Sequence, residues 1–154
     1  MKDIVDILTK NKKTISSMES CTGGAFAYFL TNVEGASNVI KYSAVTYSNE
    51  YKIKMGVDED IINKYTVYSF ETADEMSKKI SLFANSDYGV GITGQINRID
   101  ENNITDNSNL IYISIYDKNN DKFYHRELTA INDNRENNKK YIIDNVIDML
   151  KGII

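Results

Sequence analysis

What this chain lacks narrows it first. It has one cysteine, so no internal disulfide can form, and with a single histidine it cannot assemble a familiar zinc site. Its carboxylates are scattered without a metal-like cluster. No apolar run approaches the length of a membrane span, and Met1-Lys2-Asp3 opens a polar helix rather than a signal peptide. Acids and bases are mixed along the chain and the net charge is −4, so the basic face of a nucleic-acid binder is missing. The expectation is a cytoplasmic protein with no membrane or nucleic-acid partner. Proline is absent while Asn, Ile, Lys and Tyr abound, a compositional bias that carries no functional signal. The sequon Asn103-Ile104-Thr105 has no secretory context.

What is present fits one globular domain over residues 1–154. The hydrophobic share is 42% and the charged share 26%, and the length allows a real core. Helical spacing of Ile4, Ile7 and Leu8 predicts a helix over 3–12. A strand follows at about 13–18 and a helix at about 22–32. The β-branched and aromatic run 38–48 reads as a long strand. Asn49 then caps a short helix, Glu50 to Met55, ended by Gly56. A second short helix covers 58–64. Phe70, Ala73, Met76, Ile80 and Phe83 give the strongest helical period, over 70–84. Residues 87–93 form a strand thinned by Gly89 and Gly91, which implies close approach by a neighbour. The polar stretch 95–108 is long for a loop. Strands at 110–116 and 122–129 form an antiparallel hairpin, and 134–150 is the last helix. The fold class is α/β, a three-layer α/β/α sandwich on a mixed sheet.

The chain is organised around Met18-Glu19-Ser20-Cys21-Thr22-Gly23-Gly24. A serine where a strand gives way to a helix stands beside backbone N–H groups that would stabilise a developing negative charge. The two glycines permit close approach of a ligand or another backbone. Serine and threonine are also ordinary helix caps, which is the plain alternative. His125 lies in an alternating strand and reads as a surface or half-buried side chain rather than a base. Cys21 would have its pKa lowered at a helix start, yet free cysteine more often behaves as a small buried hydrophobe. A lysine base needs a depressed pKa. Sequence pattern singles out none, although Lys52 and Lys54 follow the long strand, where open α/β folds place ligands. The plain reading of either is a solvated helix lysine. No P-loop is present, because Gly23-Gly24 is not followed by Lys-Ser or Lys-Thr.

Glu19-Ser20-Cys21-Thr22-Gly23-Gly24, then Tyr47-Ser48-Asn49-Glu50 with Lys52, then Met55-Gly56-Val57, resemble the CinA C-terminal domain family. That family includes stand-alone nicotinamide mononucleotide deamidases. The resemblance runs through almost the whole chain and is most specific in its first third. It implies an anticodon-binding-domain-like fold, a homodimer, and an amidohydrolase of pyridine nucleotide salvage that needs neither metal nor cofactor. Its substrate would be a pyridine mononucleotide, with nicotinamide mononucleotide giving nicotinate mononucleotide and ammonia. Ser20 would be the nucleophile and Lys52 its base, with Tyr47 orienting or relaying the proton. The N–H groups of Cys21 and Thr22 would form the oxyanion hole. Gly23, Gly24, Thr93 and Gly94 would line the substrate site. Arg135, in Asn132-Asp133-Asn134-Arg135, resembles the arginine of a Gly-Asp-Arg motif and would hold the phosphate; its alternative is an ordinary first-turn helix arginine.

Three departures stand out. After Thr93-Gly94 the family continues Ile-Ala-Gly-Pro, whereas this chain reads Gln95-Ile96-Asn97-Arg98. The family's Gly-Thr-Val strand entry is Asn109-Leu110-Ile111, and the glycine of Gly-Asp-Arg is Asn132. Side chains therefore occupy what is a glycine-lined wall elsewhere. They leave open a different carboxamide, or a non-catalytic member that binds a nucleotide or a partner. The molybdopterin-binding-like domain of longer members has no counterpart in these residues, so its activity is not expected.

Overall fold

The computed structural model describes residues 1–97 and 109–154. Five strands, β1 (Ile15–Glu19), β2 (Ile40–Val45), β3 (Tyr88–Gly94), β4 (Leu110–Asp117) and β5 (Lys122–Thr129), form one sheet. Their order is β2-β1-β3-β4-β5. β1 runs parallel to β2 and β3, while β4 is antiparallel to both β3 and β5. The sheet is mixed, as expected, and the hairpin leaves β5 at one edge.

Helices cover both faces. On one, α1 (Lys2–Lys10), α2 (Ala25–Thr31) and α6 (Arg135–Lys151) bury Ile4, Leu8, Phe26, Leu30, Ile142 and Val146 against Ile15, Ile92 and Ile113. On the other, α4 (Glu59–Tyr65) and α5 (Phe70–Ala84) bury Ile62, Ala73, Met76 and Ile80 against Met18, Ala44 and Tyr112. α3 (Asn49–Lys54) adds Ile53 to that second layer. Gly89 and Gly91 share one face of β3 because side chains alternate along a strand. A Cβ at Gly91 would lie 2.3 Å from the Ala73 carbonyl oxygen, and one at Gly89 would lie 1.9 Å from that of Ser77. The neighbour implied by the glycines is the backbone of α5.

Three sequence expectations need correction. The long strand over 38–48 is only Ile40–Val45, with Ala36–Asn38 in a 3-10 turn. β2 pairs only with the short β1, from Ile15↔Ile40 to Glu19↔Val45, so the ladder ends where β1 does. The helix expected from 22 begins at Ala25, because Gly23 and Gly24 have φ of 60° and 92°, outside helical backbone. The cap of α3 is Ser48, whose hydroxyl accepts from the Tyr51 N–H at 3.3 Å, rather than Asn49. The polar stretch 95–108 lies, from residue 98 on, outside the described residues.

Since β1, β2 and β3 are parallel, their carboxyl ends emerge at the same edge of the sheet. Open α/β sheets bind ligands at such an edge. It delivers Ser20, Thr46 and Gln95 respectively.

Candidate active site

The turn after β1 is held from both sides. The Ser20 N–H donates to the Ile92 carbonyl at 2.9 Å, and the Thr46 N–H donates to that of Glu19 at 2.8 Å. Beyond Ser20 the chain reverses, with the Gly23 N–H on the Ser20 carbonyl at 3.0 Å and the Ala25 N–H on that of Thr22 at 3.3 Å. The N–H groups of Cys21 and Thr22, the expected oxyanion donors, stand outside that set of turn bonds.

Sequence reasoning pictured the amides opening the helix as unpartnered. The structure corrects this through a residue given no role beforehand. The Glu19 carboxylate is fully buried and accepts from the N–H groups of Phe26 and Ala27, each at 3.1 Å, and from the Thr22 hydroxyl at 2.7 Å. A negative charge at the start of α2 satisfies both its amides and its dipole. One strand end therefore braces the turn that carries Ser20. An acidic residue shortly before a helix was the available signal, but its reach over seven residues was not legible.

Lys52, on α3, is 1% exposed, so the solvated-lysine reading is overturned. Its amine donates to the Thr46 carbonyl at 2.8 Å and lies 3.1 Å from Ser20 Oγ. Ser20 is itself nearly buried at 9% exposure. The same nitrogen thus meets both the Thr46 carbonyl and the serine hydroxyl. Lys54, two residues on, is exposed and pairs with Glu50.

The remaining candidates sort by position. Tyr47 is 61% exposed, and its hydroxyl accepts from Arg135 Nη2 at 3.2 Å. Arg135 Nη1 donates to the Ile96 carbonyl at 2.6 Å, so this guanidinium links the ends of β2, β3 and α6. Cys21 is buried in the core, and burial pushes its thiol up to about 12 although the Lys52 and Arg135 charges pull the other way. It offers the site a backbone and no thiolate. The buried Thr93 hydroxyl donates to the Val67 carbonyl at 2.7 Å. Gly94 faces β4, where a Cβ would lie 2.6 Å from Ile111 Cα. Gly24 lies against Val45, and Gly23 against the Lys139 amine. His125 belongs elsewhere, on β5, where its Nε2 meets Asp74 Oδ1 at 2.6 Å.

Two buried polar atoms at this edge, Thr46 Oγ1 and Gln95 Oε1, have no hydrogen-bond partner among the described residues. Native interiors seldom leave such atoms unpaired. In sum, a buried amine faces a hydroxyl at the start of a braced turn, with an arginine at the rim. Chemically this arrangement suits attack on a carbonyl carbon.

The chain matches the family model for the CinA C-terminal domain over residues 1–154. Over 92 residues it is 48% identical to a putative competence-damage inducible protein of Clostridium beijerinckii and 44% identical to a CinA-like protein of Kosmotoga olearia. Each match takes in 59% of this chain and 22% of the relative, so the shared region spans under a quarter of those longer proteins. Among solved structures, the competence/damage inducible protein CihA from Agrobacterium tumefaciens superposes with a TM-score of 0.88 at 24% identity, covering 97% of this chain and 90% of that one. A CinA superfamily protein from Enterobacter cloacae gives 0.89 at 17% identity, covering 99% and 89%. At these identities the structures speak to the fold, the α/β sandwich described above. No helix among the described residues is long and apolar enough to cross a membrane. On the strength of the match along its whole length, the chain belongs to the CinA C-terminal domain family.

Proposed function

We propose that this domain is a serine/lysine amidohydrolase that converts nicotinamide mononucleotide to nicotinate mononucleotide and ammonia. The observation that carries the reading is the buried 3.1 Å approach of Lys52 Nζ to Ser20 Oγ. That distance lies within the reach required of a nucleophile and its base.

In this scheme neutral Lys52 takes the hydroxyl proton as Ser20 Oγ bonds to the carboxamide carbon. The carbonyl oxygen gains the electron pair and is held by the Cys21 and Thr22 N–H groups, each donor lowering the barrier by about 2.7–4 kcal/mol in comparable sites. Collapse breaks the C–N bond, and Lys52 returns the proton to nitrogen so that ammonia departs. Water then attacks the acyl ester, again losing its proton to Lys52, and Ser20 is regenerated. One amine serves as base and acid in turn. Arg135 binds the phosphate through paired guanidinium N–H groups, and Tyr47 helps to fix that guanidinium.

The test is ammonia release from nicotinamide mononucleotide, nicotinamide riboside and free nicotinamide by the purified protein. Preference for the mononucleotide supports the reading. Thermal stabilisation by the nucleotide with no ammonia released would replace it with a binding role, and faster release from an unrelated carboxamide would replace its substrate.

A further inference from the structure

The start of α6 is firmly placed. Asn134 caps it by accepting from the Asn137 N–H at 2.9 Å. Fully buried Asn138 then ties it to the preceding segment, accepting from the Ile131 N–H at 2.8 Å and donating to the Ile131 and Asp133 carbonyls. Arg135 and Lys139 stand four residues apart on this helix and so project from one side of it. Arg135 reaches toward the Ile96 carbonyl and Tyr47. The Lys139 amine instead lies over the turn after Ser20, 3.2 Å from where a Gly23 Cβ would stand.

Two like charges at this spacing repel and cost the helix stability. No ion pair among the described residues relieves either one, although Lys140 and Lys151 on the same helix pair with Asp144 and Asp3. The nearest acid in the chain to the turn, Glu19, is committed to the amides of α2. Left this way, the turn faces an uncompensated pair of cations. Such a pair is stabilised when a doubly negative group sits between its members.

We propose that Lys139 is a second phosphate-binding residue, forming with Arg135 a two-cation clamp for a phosphomonoester dianion above the Gly23 turn. This deepens the amidase reading of the same site and rests on it for the substrate, but the clamp can be tested without turnover. Gly23 is part of the device, because its missing side chain leaves the room that the Lys139 amine fills.

Binding of nicotinate mononucleotide to a Ser20→Ala background, followed by calorimetry, reads the clamp directly. Adding Lys139→Gln should weaken binding about ten- to a hundredfold, the usual loss for one charge-assisted contact. Lys139→Arg should restore most of it, and Lys140→Gln, which removes the same charge beside the clamp, should leave it within about threefold. In the otherwise wild-type protein, Lys139→Gln should raise KM for the mononucleotide with little change in kcat, and leave the riboside unaffected. Equal weakening of mononucleotide and riboside, or binding unchanged by Lys139→Gln, overturns the clamp. Tight, Lys139-dependent binding without ammonia release would overturn the amidase reading and leave the clamp standing.

Discussion

Replacing Glu19 by glutamine tests whether this one side chain holds the nucleophile turn together. The substitution keeps the shape but removes the charge and turns one acceptor end into a donor. With the amide nitrogen at either end, a backbone N–H of Phe26 or Ala27, each now bonded at 3.1 Å, loses its acceptor. A buried amide left unpaired costs about 1–3 kcal/mol. Loss of the negative charge at the start of α2 adds roughly 1 kcal/mol. The opposing effect is that a neutral amide is less costly to bury than a carboxylate. The fixed N–H groups remain whichever side chain is present, so the loss wins, at about 3 kcal/mol. For a domain of this size that lowers Tm by roughly 6–12 °C. Thermal and urea unfolding followed by circular dichroism would measure it. A change below about 1 kcal/mol would refute the reasoning, because the carboxylate would then not be what braces the turn.

Other expectations concern the frame around the site. Gly91→Ala places a methyl 2.3 Å from the Ala73 carbonyl oxygen, and backbone cannot step aside as a side chain can. Urea unfolding should show about 3 kcal/mol or more of destabilisation, and a loss under 1 would contradict the packing of α5 on β3. The buried, protonated Cys21 should resist thiol reagents at pH 8 in the folded protein and react at once in denaturant; fast labelling of the native state would show the core is open there. Burial pushes the Asp87 carboxyl up, but hydrogen bonds from Lys13, Thr14 and Asn119 outweigh it and hold the pKa at about 2. A carboxyl lowered by folding stabilises above its unfolded value and loses that contribution as pH falls from about 4 toward 2. Discounted for partial exposure, Asp87→Asn should cost about 1–2 kcal/mol at pH 7, and the gap to wild type should close on acidification. A gap that does not change with pH would rule out the charge as its origin.

Much of this architecture was legible because period and punctuation agreed. The apolar repeat of 70–84 gives α5 with the boundaries of the helix itself. Gly89 and Gly91 announced a close neighbour because two glycines two apart empty one face of a strand. Elements set by tertiary pairing were less readable. β2 is cut short by its partner, a limit its own β-prone residues do not reveal. At the site, Ser20 stood out by its place between strand and helix. Lys52 did not, since a lysine in a short helix has the same pattern whether its amine is in water or in the core. Only the packing of α3 over the ends of β1 and β2 puts that amine between Ser20 and Thr46. Glu19 and Lys139 were missed for the same reason: each reaches an element whose position the local sequence does not encode.

The central claim is that Ser20 and Lys52 act as one unit, and a double-mutant comparison tests it most directly. Ammonia release from nicotinamide mononucleotide would be measured for the wild type, Ser20→Ala, Lys52→Met and the double variant, each checked for folding by circular dichroism. Groups that work together fail together, so each single substitution should lower kcat by about a thousandfold or more and the double should lose little beyond that. Turnover by Lys52→Met within tenfold of the wild type would contradict the account.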